Sequence, residues 1–247
     1  MTSHLLYATS NGKPMDPRRK VRSSAALWTA VGLAAAAVLV LATTPRPASP
    51  ARIEIRPPAE IEFRARVNSR PFDGGWSMPG YHAIVWKGGS SAHAALLQAD
   101  VTDVQILDAL ESLHAHPGNN LSMDAWEERK NPKNPAPDTV IAGPPVDILL
   151  RLPGRGELVP LSAVLEDSGG RGLEMRLGGN RANIPKWKSG CIVCLYSCPG
   201  SKMGNARYTE RDYARGATRF RLRKGSLPGD GTEIGVVLRL GNAKPPA

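Results

Sequence analysis

The chain has 247 residues, of which 41% are hydrophobic and 5% aromatic, with 25 glycines and 22 prolines. That content excludes a wholly disordered chain and argues against a helical bundle, because so many turn-forming residues cut the chain into short elements. The net charge of +10 is uneven: residues 44–180 hold 14 basic and 17 acidic side chains, whereas residues 181–224 hold 11 basic ones against Glu210 and Asp212, so the basic character of the folded part gathers around the cysteines.

Residues 1–24 form a basic N-terminal segment that ends in Arg18, Arg19, Lys20 and Arg22. Residues 25–43 carry no charge, and nineteen residues of helix rising about 1.5 Å each come close to the thickness of bilayer hydrocarbon. A single transmembrane helix is therefore expected, with the N-terminus held in the cytoplasm by the preceding cations and the C-terminal domain placed in the periplasm or outside the cell. The alternative is a cleaved signal, for which Val40-Leu41-Ala42 offers a small-residue site. Residues 44–51 read as an extended Pro/Ala/Ser linker.

From residue 52 to residue 240 the pattern is that of one α+β domain. Ile61, Phe63, Ala65 and Val67 alternate with charged residues, and His82, Ile84 and Trp86 repeat the period of two, so both segments are expected as strands. Thr102 and Gln105 form a capping box ahead of Ile106, Leu107, Leu110 and Leu113, with Pro117-Gly118 as the stop, which predicts one main helix. Residues 123–145, interrupted by five prolines, read as a loop. Alternation then returns in Val146 to Leu152, in Leu161, Ala163 and Leu165, and in Leu173, Met175 and Leu177, which suggests an antiparallel meander. Thr218, Phe220 and Leu222 are expected to pair with Ile234 to Leu240 across a Gly-rich turn, and residues 241–247 form a tail. The fold class expected is α+β, a mostly antiparallel sheet with one main helix, preceded by the transmembrane helix.

All three cysteines fall in Cys191-Ile192-Val193-Cys194-Leu195-Tyr196-Ser197-Cys198-Pro199. Thiolates at these spacings converge on a metal ion, zinc or an iron–sulfur cluster, and nearby cations help to hold them deprotonated. The bland alternative is a structural disulfide with one cysteine left over. His82, His93, His114 and His116 are the candidate histidines of the domain, and His114 and His116 at the helix end are the candidate fourth ligands, although a histidine there more often serves the helix dipole. Arg219, Arg221 and Arg223 line one strand face and would suit an anionic partner, either lipid headgroups beside the membrane or an acidic protein; a solvated face is the default, and the extracytoplasmic placement disfavours nucleic acid. No catalytic motif is present: there is no GxSxG, no HExxH and no phosphate-binding Gly-Lys loop.

The succession of His93-Ala94-Ala95-Leu96-Leu97, the helix end from Ala109-Leu110 to Pro117-Gly118, the Val146 to Leu152 strand and the closing strands resembles the YdjY-like domain family, exported or membrane-tethered bacterial proteins. The resemblance covers residues 52–240 and implies no catalytic residue. Ala94 departs from the pattern, where an acidic residue often follows the histidine, and the three-cysteine turn reads as an elaboration of a subgroup. Two functions follow as expectations. The first is a binding or assembly domain whose cysteine turn, residues 191–198, holds a metal or a disulfide. The second is a redox protein carrying an iron–sulfur centre or an exchangeable dithiol on the same cysteines.

Overall fold

The computed structural model describes residues 52–74, 80–131 and 138–241. Their strands are β1 (Glu54–Arg56), β2 (Glu60–Val67), β3 (His82–Trp86), β4 (Ala95–Ala99), β5 (Val146–Arg151), β6 (Leu158–Pro160), β7 (Leu165–Asp167), β8 (Met175–Leu177), β9 (Cys191–Cys194), β10 (Met203–Asn205), β11 (Phe220–Leu222) and β12 (Glu233–Leu240). The α-helices are short: α1 (Asp103–Ser112), α2 (Met123–Glu127), α3 (Leu161–Val164) and α4 (Glu210–Arg215).

Ten strands form one sheet in the order β6-β5-β12-β2-β4-β3-β9-β10-β8, with β1 added to β2. An isolated antiparallel bridge, Pro145↔Arg176, brings β8 back to the start of β5, so the sheet curls until its ends meet. Curling reduces the length of unpaired edge, and β6 and β8, the two strands at the ends, have three residues each. The alternation read in the sequence is real: Ile61, Phe63, Ala65 and Val67 are all buried while the residues between them are half-buried or exposed. β3 and β9 instead bury residues on both faces, because α1, with Ile106, Leu107 and Leu110 fully buried, packs against β9. The capping box of α1 forms as expected, with Gln105 N–H donating to Thr102 Oγ1 at 3.1 Å and Thr102 N–H to Gln105 Oε1 at 2.9 Å.

The expected fold class needs correction. No helix among the described residues is long and apolar enough to cross a membrane, and the 25–43 segment lies outside the described residues, so nothing in the structure supports a transmembrane helix ahead of the domain. The sheet is mixed, since β3 with β4 and β9 with β10 run parallel. The meander also fails. β6 does follow β5, but β7 leaves to pair with β11 in a separate two-stranded sheet, and β8 pairs with β10. Leu161 to Val164 is helical, β11 does not pair with β12, and β12 sits between β2 and β5. Alternation fixes which face of a strand is buried but carries no information on its neighbour.

Candidate metal centre

The site begins with a fault in the pairing of β3 and β9. His82 pairs with Cys194, Ile84 with Val193 and Val85 with Cys191, so the register shifts on each side of Ile84. In an unbroken strand, two cysteines three positions apart would point to opposite faces. The extra residue on β9, Ile192, removes that difference as a bulge does, and the opposing irregularity at Ala83 returns His82 to the same place. The ligand atoms of His82, Cys191 and Cys194 consequently all lie within 4.8 Å of one another, with His82 Nδ1 3.2 Å from Cys191 Sγ.

The turn after β9 adds the third cysteine. Cys198 N–H donates to Tyr196 O at 2.9 Å, and Ser201 closes the turn by donating both its N–H and its hydroxyl to Cys198 O, at 3.1 and 2.8 Å. Ser197 anchors the same turn to its surroundings: its hydroxyl donates to Asn205 O at 3.0 Å and accepts from Ile141 N–H at 2.9 Å. Cys191 and Cys198 are the near neighbours that act on the Cys194 thiol. Cys198 in turn acts on the carboxyl of Glu210, in the first turn of α4. His82, the three sulfurs and Glu210 thus share one buried region, each at most 5% exposed.

Burial governs the charges. It pushes the Cys194 thiol well above its usual range, and at Cys198 the neighbouring Cys194 adds the largest upward push, with burial next. Burial lowers His82 to about 4 and raises Glu210 to about 7, in each case against the attraction of the other's charge. Near neutral pH the imidazole is therefore neutral with a lone pair free for coordination, which is the state a metal requires. His82 and Glu210 would be costly in a core built only for packing, because buried polar atoms cost stability unless fully satisfied.

All three cysteines are free thiols, so the structure gives the disulfide alternative no support. His114 and His116, the candidate fourth ligands, have exposed side chains beyond the end of α1, whereas the cage is buried; neither joins it. His114 takes a left-handed backbone there, φ 60°. The histidine that does join is His82; the period-two pattern would set it on the face of Ile84, whereas the irregularity at Ala83 turns it to the face of Cys194. Glu210 had only a local cue, the Thr209–Asp212 capping box around it, which places it in the first helical turn but says nothing of its burial. Arg219, Arg221 and Arg223 are exposed on and beside β11, where Arg223 lies 3.7 Å from Glu166 and donates to Ala163 O at 3.3 Å. They take no part in the cage.

The family profile described as the YdjY domain matches residues 58–239. The protein described as "Uncharacterized protein YdjY" from Escherichia coli (strain K12) is 33% identical over 160 residues, 64% of this chain and 67% of that protein. No solved structure matches. The matched residues run from just ahead of β2 to within β12 and contain every member of the cage, and the chain therefore belongs to the YdjY domain family.

Proposed function

We propose that this protein binds a single thiophilic metal ion in the buried cage of His82, Cys191 and Cys194, with Cys198 as the fourth ligand. The observation that carries the reading is the mutual approach of three ligand atoms within 4.8 Å in a fully buried setting. Ligands bonded to one tetrahedral ion at about 2.0–2.3 Å stand about 3.3–3.8 Å from each other, so a small inward movement closes the cage on one ion. A multinuclear iron–sulfur cluster spreads its ligands wider, and the cage size favours a mononuclear site. Three thiolates and one imidazole with no open position are the donor set of a structural zinc site. The proposed role is accordingly that of a metal-stabilised binding or assembly domain rather than a hydrolytic enzyme.

The same four ligands around a single iron would carry an electron instead, and colour separates the two outcomes. Protein purified without chelator under reducing conditions should contain close to one zinc per chain by elemental analysis and no visible absorption. Cys194→Ser and His82→Ala should each bring bound metal down to background while leaving the far-ultraviolet circular dichroism of the sheet recognisable. A coloured protein containing iron would move the reading to electron transfer. Wild-type protein that stays metal-free after incubation with Zn²⁺ would end it.

A further inference from the structure

One buried charge beside the cage has no part in the reading so far. Lys202 is 1% exposed, a costly place for an ammonium without compensation. Its position is fixed from three directions. Its N–H donates to Ile192 O at 3.2 Å, its Nζ donates to Gly200 O at 3.2 Å, and Asp103 Oδ2, in the first turn of α1, lies 3.7 Å from Nζ. The contact with Asp103 is long for a charge-assisted hydrogen bond and does not by itself offset the burial. The other anionic charge available is that of the cage: Lys202 leads into β10, which runs beside β9, and its N–H is held by Ile192 O between Cys191 and Cys194. Gly200, whose carbonyl accepts from Lys202, lies two residues beyond Cys198 in the same turn.

The charge balance gives this placement a purpose. A divalent ion on three thiolates and a neutral imidazole leaves a net charge of minus one in the core. A fixed cation beside it, shared with Asp103, offsets part of that charge and lowers the cost of burying the loaded centre. We infer that Lys202 is the counter-cation of the metal centre, a positioning residue whose buried charge lowers the cost of holding the loaded ion in the core. The inference rests on the metal reading above. The groups in contact with Lys202 are Asp103 from α1, Ile192 O from β9 and Gly200 O from the turn.

Co²⁺ binding to the full chain under reducing conditions tests it, followed by thiolate-to-cobalt charge-transfer absorption and by competition with a chelator. Lys202→Met should bind Co²⁺ about 10- to 100-fold more weakly than wild type, with the absorption band in place because the ligands are unchanged. Lys202→Arg keeps the charge and should recover most of the lost affinity. Asp103→Asn removes an anion that competes for the ammonium and should bind at least as tightly as wild type. Equal affinity of wild type and Lys202→Met, or a Lys202→Arg variant as weak as Lys202→Met, would overturn the role of the charge. If Lys202→Met does not fold, Asp103→Asn decides, and weaker binding by that variant overturns the inference. A wild-type chain that binds no Co²⁺ overturns the metal reading and this inference together.

Discussion

His82 and Glu210 are perturbed by the same burial in opposite senses, and the consequence is a cancellation. His82 drops from 6.5 to about 4, so the stability it contributes in the metal-free protein is complete above pH 6.5 and is lost as the pH falls through 4. Glu210 rises from 4.5 to about 7, so its contribution is complete below pH 4.5 and is lost as the pH rises through 7. Each swing is worth about 3 kcal/mol at most, and over roughly pH 4.5–6.5 the two offset each other. Urea denaturation of chelator-treated protein across that range should show a nearly flat stability for wild type. Glu210→Gln should expose the histidine, with stability falling toward acid. His82→Gln should expose the carboxylate, with stability falling toward neutral pH. A wild-type acid slope as steep as that of Glu210→Gln would refute the opposition of the two residues.

At the scale of elements, the cage depends on how β9 is entered. Trp86 N–H donates to Gly190 O at 2.9 Å, and Ser90 and Ser91 donate to Lys188 O and Ser189 O, so the turn after β3 grips the residues just before Cys191. The grip requires backbone to touch backbone at Gly89, where an added Cβ would stand 2.2 Å from Ser189 O. Gly89→Ala must therefore displace the start of β9, at a cost of about 1–3 kcal/mol and with loss of metal affinity, because Cys191 lies two residues beyond Ser189. Gly156→Ala is the matched control, since nothing lies within 4 Å of that Cβ, and it should leave denaturation midpoint and metal content unchanged. A Gly89→Ala protein with wild-type metal retention would show that the cage tolerates movement at the strand entry.

Over the whole molecule, the proposed ligands tie together parts that the chain keeps far apart. His82 and Cys191 are separated by 109 positions, and the turn that carries Cys198 is tied to the approach to α4 by Ser197 N–H donating to Tyr208 O at 2.8 Å. An ion bound only by the folded form stabilises it by about 2.7 kcal/mol at a hundred times its dissociation constant, and each kcal/mol moves the melting temperature of a domain this size by about 2–4 °C. Chelation should therefore lower Tm by about 5–10 °C, reversibly on adding Zn²⁺. No shift on chelation of protein shown to be zinc-loaded would place the site outside the cooperative core. The Pro145↔Arg176 bridge that curls the sheet lies at β5 and β8, strands that contribute no cage residue.

Much of this protein could be read directly. The α1 cap, the buried faces of β2 and β5 and the gathering of the cysteines all follow from residues within a few positions of each other, and such local effects survive in any tertiary setting. The family was legible for the same reason, since its strands and helix end recur in order. What escaped was every feature that depends on a distant partner. β4 was overlooked, and α2, with the turn after it, lay in a stretch read as loop. The meander gave way to a mixed sheet because alternation does not name a neighbour. His82 is one of four candidate histidines in the sequence, and nothing local ranks it above His114 and His116, because only the pairing of β3 against β9, bulged at Ile192, carries it to the sulfurs. The sequence determined by itself which donor chemistry the chain carries and which strand faces are wet. The tertiary structure alone decided which donors meet and that Lys202 is buried beside them, because convergence and desolvation are properties of packing and not of composition.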